Sequence, residues 1–501
     1  MSFLGLDIGT GSCKACVFDA AGQLLARASR EYGLSHPQPG WAELDSQMVG
    51  DFCLEVIREA ATETPHDPVE AITISSQGEA FTCLDSGGSI LSNAMVSSDN
   101  RTADLVEEWS TDFGVERLYE KTGHTAHPIF TLFKLLWLKK NRPDIWQKAE
   151  RFLCFEDYLH FRLGIDPAIS WSMAGRTLLF NMTERRWDAD ILTAIGLRTD
   201  QLARPLPPGA IAGSVPSSLA QELGLAPGAI VVAGGHDQVC CAVGSGAITA
   251  GQASLTTGSV ECVAVAFSEP TLHTTLREAN LCTYSHALPG LHASLAYNLT
   301  GGNLLRWFRD ELGLAERWEA ERTGQDVYDL IFRELPEGPS SLMVLPYFTG
   351  SGTPYFDART PGAILGLRFD TTRQEILLGL LEGLAYELRV NFELLRNAGI
   401  PIREVLAVGG GAKNRRWLQL KADILNQPIQ VPKVTETGCL GGAILACAAK
   451  TGRAPEELVR QWIRVEETIQ PHVERAGAYE KKLEDYRKCY VQLKELAREI
   501  F

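Results

Sequence analysis

The sequence predicts an α/β protein made of two similarly built domains. Its 501 residues exceed the usual size of roughly 100–200 residues for one domain, and 45% of them are apolar, enough to build a sizeable core. A strand-turn-strand pattern near residue 6 recurs near residue 255, and helical and strand segments alternate after each copy. Two α/β domains that bind one ligand between them account for all three observations.

The chain opens with a β-meander. Strands are expected over residues 3–8, 13–18 and 23–28, and the turn Gly9-Thr10-Gly11-Ser12 joins the first two. A dinucleotide-binding fold would need a third glycine at position 14 and then a helix, but position 14 is Lys and a strand follows. The P-loop pattern GxxxxGK[ST] does not occur here either.

The second copy of this pattern marks the start of a second domain. Residues 6–18 read LDIGTGSCKACVF and residues 255–267 read LTTGSVECVAVAF, so Thr10-Gly11-Ser12 aligns with Thr257-Gly258-Ser259. Each Thr-Gly-Ser turn offers backbone N–H groups to a ligand between the domains. The alternative is two ordinary hairpins with small turn residues. A run of Gly, Ala and Ser over residues 245–251 places the boundary between domains 1–245 and 246–501.

Charge and the apolar pattern exclude several classes of protein. The net charge of −15 argues against general binding to nucleic acid or to anionic membranes. Residues 1–7 lack a basic segment followed by an apolar one, so we expect no secretory signal and a cytoplasmic protein. The most apolar long window, 229–250, has three polar residues at its centre, which excludes a membrane span. The CxxC pair Cys13 and Cys16 lies in an expected strand, where residues three apart face opposite sides, so zinc binding is not expected there.

Two helices are marked by their sequence. Thr372-x-x-Glu375 is a capping box, leucines follow at helical spacing, and Gly399 closes the pattern. Residues 476–501 form a charged amphipathic segment, which we interpret as a packing helix without a function of its own.

Asp7 is a candidate metal ligand. It ends an apolar strand directly before the Gly9-Thr10-Gly11 turn. A carboxylate at this position can hold Mg²⁺ while the turn, Ser12 and Lys14 contact phosphate oxygens. The alternative is an aspartate that caps a turn.

Asp237 is the candidate catalytic base. An apolar strand over residues 230–233 leads into Gly234-Gly235 and then His236-Asp237-Gln238. Glycines at the end of a strand are expected to let a ligand approach the backbone. Open α/β sheets bind ligands at the carboxyl ends of their strands, and an aspartate there can accept the proton of an attacking alcohol during phosphoryl transfer. Two alternatives remain open: Asp237 caps the next helix, and His236 is structural.

The third candidate is the glycine run Gly409-Gly410-Gly411, which follows an apolar strand and precedes a helix. Three glycines admit a flat ring or a sugar against the backbone, and Asn414 near the helix start can bind polar edges. A tight turn is the alternative.

Taken in order, these motifs make the sequence similar to the FGGY carbohydrate kinases, the family of glycerol kinase, xylulokinase and gluconokinase. The resemblance covers essentially the whole chain. Its motifs are LDIGTGSCK at the start, Asp99-Asn100-Arg101-Thr102, KLLWL at 134–138, GGHDQ at 234–238, LTTGS at 255–259, Gly301-Gly302-Asn303, TPYFDARTPGAILGL at 353–367 and the glycine run. It implies two ribonuclease-H-like domains of the actin and Hsp70 type, which close over MgATP and a sugar or polyol.

The resemblance also assigns roles by position. It implies that Asp237 is the base and that Asp7 lies near Mg²⁺. The residues it places on ATP are Thr10, Gly11, Ser12, Lys14, Thr257, Gly258, Gly302, Gly410, Gly411 and Asn414. The residues it places around the acceptor are Gln77, Gly78, Glu79, Asp99, His236, Asp237 and Gln238. No nucleic acid or membrane partner is expected, and a homodimer is compatible with the sequence.

Three departures from the family pattern bear on the acceptor. Gly78-Glu79 replaces the Arg-Glu pair of glycerol kinases and the Met-His pair of xylulokinases. Ser97 stands at the usual Trp position, and Ile129 where glycerol kinases carry Tyr. These changes predict a widened pocket that favours a pentulose-type ketose or a longer polyol. The alternatives are a glycerol or other polyol kinase and, from another class, a nucleotide-switched binding protein on the same fold.

Overall fold

The chain folds around two mixed β-sheets. The computed structural model describes residues 1–357 and 359–500. Within these residues a six-stranded sheet contains, in spatial order, residues 211–214, 230–236, 69–76, 2–8, 12–19 and 24–31. A seven-stranded sheet contains, in spatial order, residues 284–285, 292–298, 261–267, 252–257, 404–408, 429–432 and 465–469. Helices cover the sheets, so the architecture is α/β.

The strands are β1 (Ser2–Ile8), β2 (Ser12–Asp19), β3 (Leu24–Glu31), β4 (Glu43–Leu44), β5 (Val69–Ser76), β6 (Phe81–Leu84), β7 (Ile90–Ser92), β8 (Ala94–Met95), β9 (Arg151–Cys154), β10 (Ala168–Ser170), β11 (Phe180–Asn181), β12 (Arg186–Trp187), β13 (Arg204–Leu206), β14 (Ile211–Ser214), β15 (Ile230–His236), β16 (Gln252–Thr257), β17 (Glu261–Phe267), β18 (Tyr284–Ser285), β19 (His292–Asn298), β20 (Met343–Leu345), β21 (Ala363–Leu365), β22 (Glu404–Val408), β23 (Ile429–Pro432) and β24 (Val465–Ile469).

The helices are α1 (Ser46–Thr62), α2 (Ala103–Phe113), α3 (Val115–Thr122), α4 (Thr131–Asn141), α5 (Pro143–Lys148), α6 (Phe155–Arg162), α7 (Trp171–Gly175), α8 (Ala189–Ile195), α9 (Ser217–Glu222), α10 (Asp237–Ser245), α11 (Thr274–Glu278), α12 (Gly302–Glu311), α13 (Leu314–Thr323), α14 (Val327–Phe332), α15 (Arg373–Asn397), α16 (Arg415–Leu425), α17 (Thr437–Thr451), α18 (Pro455–Trp462) and α19 (Val473–Ile500). Short 3₁₀ turns occupy Thr199–Gln201 and Gly410–Lys413.

The two sheets repeat one arrangement of strands. In the first, β1 pairs antiparallel with β2 and parallel with β5, which pairs parallel with β15. In the second, β16 pairs antiparallel with β17 and parallel with β22, which pairs parallel with β23. Both Thr-Gly-Ser turns therefore join antiparallel strands at equivalent places, which confirms the predicted internal repeat.

The predicted local elements are present. The opening meander is β1, β2 and β3, and Cys13 and Cys16 are free and buried on β2. Thr372 caps α15 by accepting a hydrogen bond from the backbone N–H of Glu375, and Gly399 beyond its end has φ = 85°. The tail helix α19 packs through a buried face that includes Tyr479 and Leu483. Phe501, at the end of the predicted segment, and Ala358, within the 353–367 motif, lie outside the described residues.

Helix α17 belongs in sequence to the second half but packs on the first sheet. A Cβ on Gly5 of β1 would overlap the carbonyl of Cys439, and a Cβ on Gly441 would overlap the carbonyl of Cys240 on α10. Backbone therefore touches backbone between α17, β1 and α10, which only glycine permits. The helix lies where the two halves meet, and the division at residue 245 stays a prediction.

No helix in the parts of the chain that the structure describes is long and apolar enough to cross a bilayer.

Candidate active site

Asp237 lies at the junction of β15 and α10. His236 is the last residue of β15 and occupies the N-cap position of α10, and Asp237 is the first residue of that helix. The Asp237 carboxylate accepts a hydrogen bond from Gln238 Nε2 at 3.2 Å, and His236 Nε2 lies 3.2 Å from its Oδ1. It contributes no helix cap, so the capping alternative does not describe this aspartate.

The double glycine before His236 has a packing role. A Cβ on Gly234 would overlap the carbonyl of Ile74 on β5, and one on Gly235 would overlap Ser172 Oγ. The sequence interpretation, that these glycines open the backbone to ligand, is therefore wrong for Gly234. They allow β15 to lie close to its neighbours and so fix the end of the strand that bears Asp237.

His236 is a neutral hydrogen-bonding residue. Burial lowers its pKa well below the usual value, with the positive charge of Arg176 adding to the effect. Nδ1 lies 3.1 Å from the hydroxyl of Tyr284. A neutral imidazole that accepts from Tyr284 at Nδ1 carries its proton on Nε2, so His236 presents an N–H group beside the Asp237 carboxylate.

The Asp237 carboxyl titrates near neutrality. Its partial burial, together with the negative charges of Asp7 and Glu79, raises its pKa to about 7. Electrostatic coupling to both carboxylates places Asp7 and Glu79 near Asp237 although they lie on different segments. A group with this pKa can take up and release a proton at physiological pH.

Asp7 is held in place at the end of β1. Ser75 Oγ donates to Asp7 Oδ1 at 2.6 Å, and a Cβ on Gly438 would lie only 2.7 Å from the same oxygen. The start of α17 therefore lies directly against this carboxylate. Burial raises the pKa of Asp7, while the hydrogen bond from Ser75 and the charge of Lys14 oppose the rise.

The first Thr-Gly-Ser turn is braced by Gln77. Thr10 Oγ1 donates to Gln77 Oε1 at 3.3 Å, and Gln77 Nε2 donates to the carbonyl of Gly9 at 3.1 Å. Gly11 has open space where a side chain would be, and the Ser12 carbonyl accepts from the Gly9 N–H. Gln77, predicted to contact the acceptor, therefore holds the predicted phosphate turn in this structure.

Lys14 is paired with an acid from the other half of the chain. Its Nζ lies 2.9 Å from Glu436 Oε2, just before α17. Both side chains are partly exposed. The sequence predicted Lys14 as a phosphate contact and gave no indication of this partner.

Glu79 lies buried in a network that the sequence did not predict. Arg176 donates from Nε to its Oε1 at 2.6 Å and also from Nη2, while Ser97 Oγ donates to its Oε2 at 2.7 Å. The Glu79 carbonyl accepts from Thr131 Oγ1 at 2.8 Å and from Lys134 Nζ at 3.5 Å. Arg176 follows α7, and no motif links it to Glu79.

The expected widening of the pocket at Gly78 is wrong. A Cβ on Gly78 would lie 3.0 Å from His236 Cδ2 and 3.5 Å from Arg176 Cβ, so these two side chains already occupy the space. Ser97 is small, but its hydroxyl is hydrogen-bonded to Glu79. Ile129 is half-buried against the hydrophobic core that includes Leu4 and Leu6 of β1.

Asp99 is a structural carboxylate in this arrangement. It is fully buried, and its oxygens accept from the Ala42 N–H at 2.7 Å, from the Arg101 N–H and from the Arg101 guanidinium at 2.7–3.0 Å. This network anchors the loop that carries Ser97. A direct contact of Asp99 with acceptor stays a prediction.

Six of the predicted nucleotide contacts line one cavity of about 480 Å³. They are Thr257, Gly258, Gly302, Gly410, Gly411 and Asn414. The sequence analysis did not predict several further lining residues, namely Arg306, Asp326, Tyr328, Phe332 and Trp417. Asn414 also caps α16, with its Oδ1 accepting from the Trp417 N–H at 3.0 Å.

The three consecutive glycines have three different roles. Gly409 has φ = 87°, and a Cβ there would lie 2.6 Å from the carbonyl of Thr257. Gly411 lies against Thr257 Cγ2 and Trp417. Gly410 has nothing within 4 Å of the place of its missing Cβ, so it leaves room in the cavity. Turn geometry explains Gly409, whereas it does not explain Gly410.

Comparison with protein-family models decides the family. The model of the FGGY family of carbohydrate kinases, N-terminal domain, matches residues 2–244, and the model of the C-terminal domain matches residues 253–450. The chain belongs to the FGGY family of carbohydrate kinases. Its fold is accordingly the two-domain, ribonuclease-H-like fold of actin and Hsp70, and the protein is a sugar kinase.

Individual FGGY kinases resemble it over their full length. A xylulose kinase of Staphylococcus epidermidis (strain ATCC 35984 / DSM 28319 / BCRC 17069 / CCUG 31568 / BM 3577 / RP62A) is 30% identical over 504 residues, covering 99% of this chain and 98% of that protein. A glycerol kinase of Symbiobacterium thermophilum (strain DSM 24528 / JCM 14929 / IAM 14863 / T) is 32% identical over 479 residues, 92% of each chain. The crystal structure of a xyloylose kinase from Brucella ovis matches with a TM-score of 0.89 and 28% identity, covering 99% of this chain and 100% of that one.

The donor set of this FGGY kinase suits a metal that is bound mainly through phosphate. Among residues 1–357 and 359–500, no group of three or more His, Cys, Asp or Glu side chains could hold a metal ion. Mg²⁺ is commonly bound by one or two carboxylates together with substrate phosphates. Asp7, beside an open glycine turn, fits that pattern.

Proposed function

We propose that this FGGY kinase transfers the γ-phosphoryl group of ATP to a hydroxyl of an uncharged ketose of the pentulose type or of a longer polyol. The observation that carries the proposal is the Asp237 carboxylate directly after β15, which accepts a hydrogen bond from Gln238, lies beside neutral His236 and has a pKa raised to about 7. This is the position and the proton affinity that a base for an attacking alcohol requires.

The proposed reaction assigns each residue a limited part. The hydroxyl oxygen of the acceptor forms a bond to the γ-phosphorus while Asp237 accepts the proton of that hydroxyl. The bond from the γ-phosphorus to the bridging oxygen of ADP breaks. Gln238 orients the carboxylate through its hydrogen bond, and neutral His236 lies beside it. Asp7 would hold Mg²⁺, which when bound neutralises charge on the β- and γ-phosphates.

The charge distribution supports a neutral acceptor. Arg176 is paired with Glu79, and Asp237 adds a second carboxylate close by. Burial lowers the pKa of His127 to about 4 and that of His236 well below its usual value, so both imidazoles are neutral. An aldonic acid would have to compete with Glu79 for Arg176, whereas sugar hydroxyls can bond to these groups as they stand.

The room next to this network supports an acceptor of more than three carbons. A cleft of about 1100 Å³ opens beside His127 and is lined by residues of both halves, including Asn280 and Phe356. The charges of Glu79 and Arg176 act on the pKa of His127, which supports an acceptor bound between Glu79 and this cleft. Similarity to a xylulose kinase over 99% of the chain agrees with this acceptor class, and similarity to a glycerol kinase makes glycerol the competing one.

A screen of acceptors tests the proposal. ATP consumption by the purified protein would be measured with pentuloses, hexuloses, pentitols, tetritols, glycerol and gluconate. We expect kcat/KM for glycerol to be at least about tenfold below that of the best ketose or longer polyol, a gap of roughly 1.4 kcal/mol. If glycerol is the best substrate, the proposed acceptor length is wrong. If gluconate is the best substrate, the charge argument is wrong. If no acceptor is phosphorylated with ATP, the proposed reaction is wrong.

A variant of Arg176 tests the site within the same screen. Arg176→Met removes the ion-pair partner of Glu79. KM for the acceptor should therefore rise by about tenfold or more, while KM for ATP stays within about twofold. An equal rise in both constants would mean that the loss of Arg176 disturbs the whole fold and does not act on the acceptor site.

A further inference from the structure

A fully buried ion pair lies behind the wall of the 480 Å³ cavity. Lys421 of α16 and Glu261 at the start of β17 are both 0% exposed and form a salt bridge. Lys421 Nζ also donates to Thr257 Oγ1 at 2.9 Å. Neither charged residue lines the cavity, whereas Thr257 does.

The hydrogen bonds at Thr257 leave its hydroxyl no free proton. Lysine has only donors, so Thr257 Oγ1 must accept from Lys421. The hydroxyl in turn donates to Glu261 Oε1 at 3.2 Å. Thr257 therefore has no hydroxyl proton to donate to a ligand in the cavity, and its side-chain torsion is fixed by the ion pair.

The same ammonium group supports a second part of the wall. Lys421 Nζ lies 4.2 Å from the ring centroid of Trp417, close enough for a cation–π interaction. Trp417 and Thr257 both line the cavity, and Gly411 lies in contact with both of them. Three wall residues on three different segments thus depend on the position of one cation.

Stability alone is a weak reason for such a pair. Removing two charges from water costs about as much as their attraction returns, so well-packed apolar residues are often as stable. The second half contains a comparable pair, Lys482 with Glu382, which is largely buried between α19 and α15 and does not line the cavity. This second pair allows a role at the cavity to be separated from a role in folding.

We propose that Lys421, paired with Glu261, is a positioning residue for the nucleoside triphosphate, which holds Thr257 and Trp417 in the arrangement that binds it. The inference rests on the proposed function, because it takes the 480 Å³ cavity as the nucleotide site. It adds two residues that touch no ligand and that no motif in the sequence marks.

The test compares two neutralised pairs. Lys421→Met/Glu261→Gln should raise the Kd for ADP, measured by calorimetry, and the KM for ATP by about fivefold or more, because the wall is no longer preorganised. It should leave kcat within about twofold. Lys482→Met/Glu382→Gln, the matched control, should leave both nucleotide constants unchanged. Unchanged ADP binding in a folded Lys421→Met/Glu261→Gln protein overturns the inference.

Two further variants keep the outcome unambiguous. Thr257→Val preserves the side-chain shape and the ion pair but removes the hydroxyl. It decides the question if the double variant does not fold. Weaker ADP binding by Thr257→Val supports the inference, and unchanged ADP binding refutes it. Gly410→Val tests the cavity itself. If Gly410→Val weakens ADP binding and the Lys421 and Thr257 variants do not, only this inference fails. If Gly410→Val also has no effect, the cavity is not the nucleotide site and this inference loses its basis, while the acceptor screen decides the proposed function.

Discussion

Lys14 and Glu436, which lie 422 residues apart in the sequence, form an ion pair beside Asp7, with 2.9 Å between Lys14 Nζ and Glu436 Oε2. Lys14 is on β2 of the first sheet, and Glu436 precedes α17, which packs on that sheet. The ammonium group proposed to contact phosphate is therefore held by a competing acid, and phosphate must displace that acid or share the lysine with it.

This competition predicts the effect of removing the acid. Glu436→Gln should lower KM for ATP about threefold, since a partly exposed ion pair contributes up to about 1 kcal/mol. In a Lys14→Met background the same change should give little or no gain. Steady-state kinetics of the two single variants and the double variant form the required cycle. A gain of equal size in both backgrounds would mean that Glu436 acts only by repelling phosphate.

Asp237→Asn tests the base. Asparagine keeps the size of the side chain and removes its proton affinity, so kcat should fall by about 10²–10⁴-fold, the usual contribution of general-base catalysis. The Kd for ADP and the melting temperature should stay near those of the parent protein. Turnover within a few fold of the parent would remove Asp237 from the mechanism.

The pH dependence of the reaction follows from the same carboxyl group. Because burial and the charges of Asp7 and Glu79 raise the pKa of Asp237 to about 7, the base is protonated and inactive below that pH. We expect kcat/KM for the acceptor to fall as pH decreases through about 7, tenfold for each further unit. A profile that is flat from about pH 5.5 to 8 would contradict a base with this pKa.

Gly410→Val tests the cavity with little cost to folding. Nothing lies within 4 Å of the new Cβ, so the side chain enters the cavity and should raise KM for ATP by about tenfold or more. Gly477→Val, at an exposed glycine of α19 with equally open surroundings, is the matched control and should leave KM unchanged. Gly411→Val would instead collide with Thr257 and Trp417, so it should lower the melting temperature.

The sequence predicted what local patterns determine. The Thr-Gly-Ser turns, the capped helix beginning at Arg373 and the strand before Asp237 each follow from residues close to one another in the chain. The residues Gly258, Gly302 and Gly410, proposed from the resemblance, do line one cavity. Turn chemistry therefore predicted the local elements, and the family motifs predicted the glycines that line the cavity.

Residues that act through long-range pairing could not be predicted in this way. Arg176 reaches Glu79 from the end of a short helix, and Lys421 reaches Glu261 across the second sheet. Nothing in the spacing of these residues indicates a partner. Gly78 shows the opposite error: its small size predicts open space, but His236 and Arg176 fill that space from elsewhere.

The glycine contacts of α17 have a consequence for how the protein is made. The face of the first sheet that bears Gly5 is covered by a helix that is synthesised only after about three quarters of the second half of the chain. Until then Phe3 and Ala71, which belong to the core shared with α17, stay uncovered. Nascent chains therefore carry an open apolar surface for most of translation, when association with other chains competes with folding.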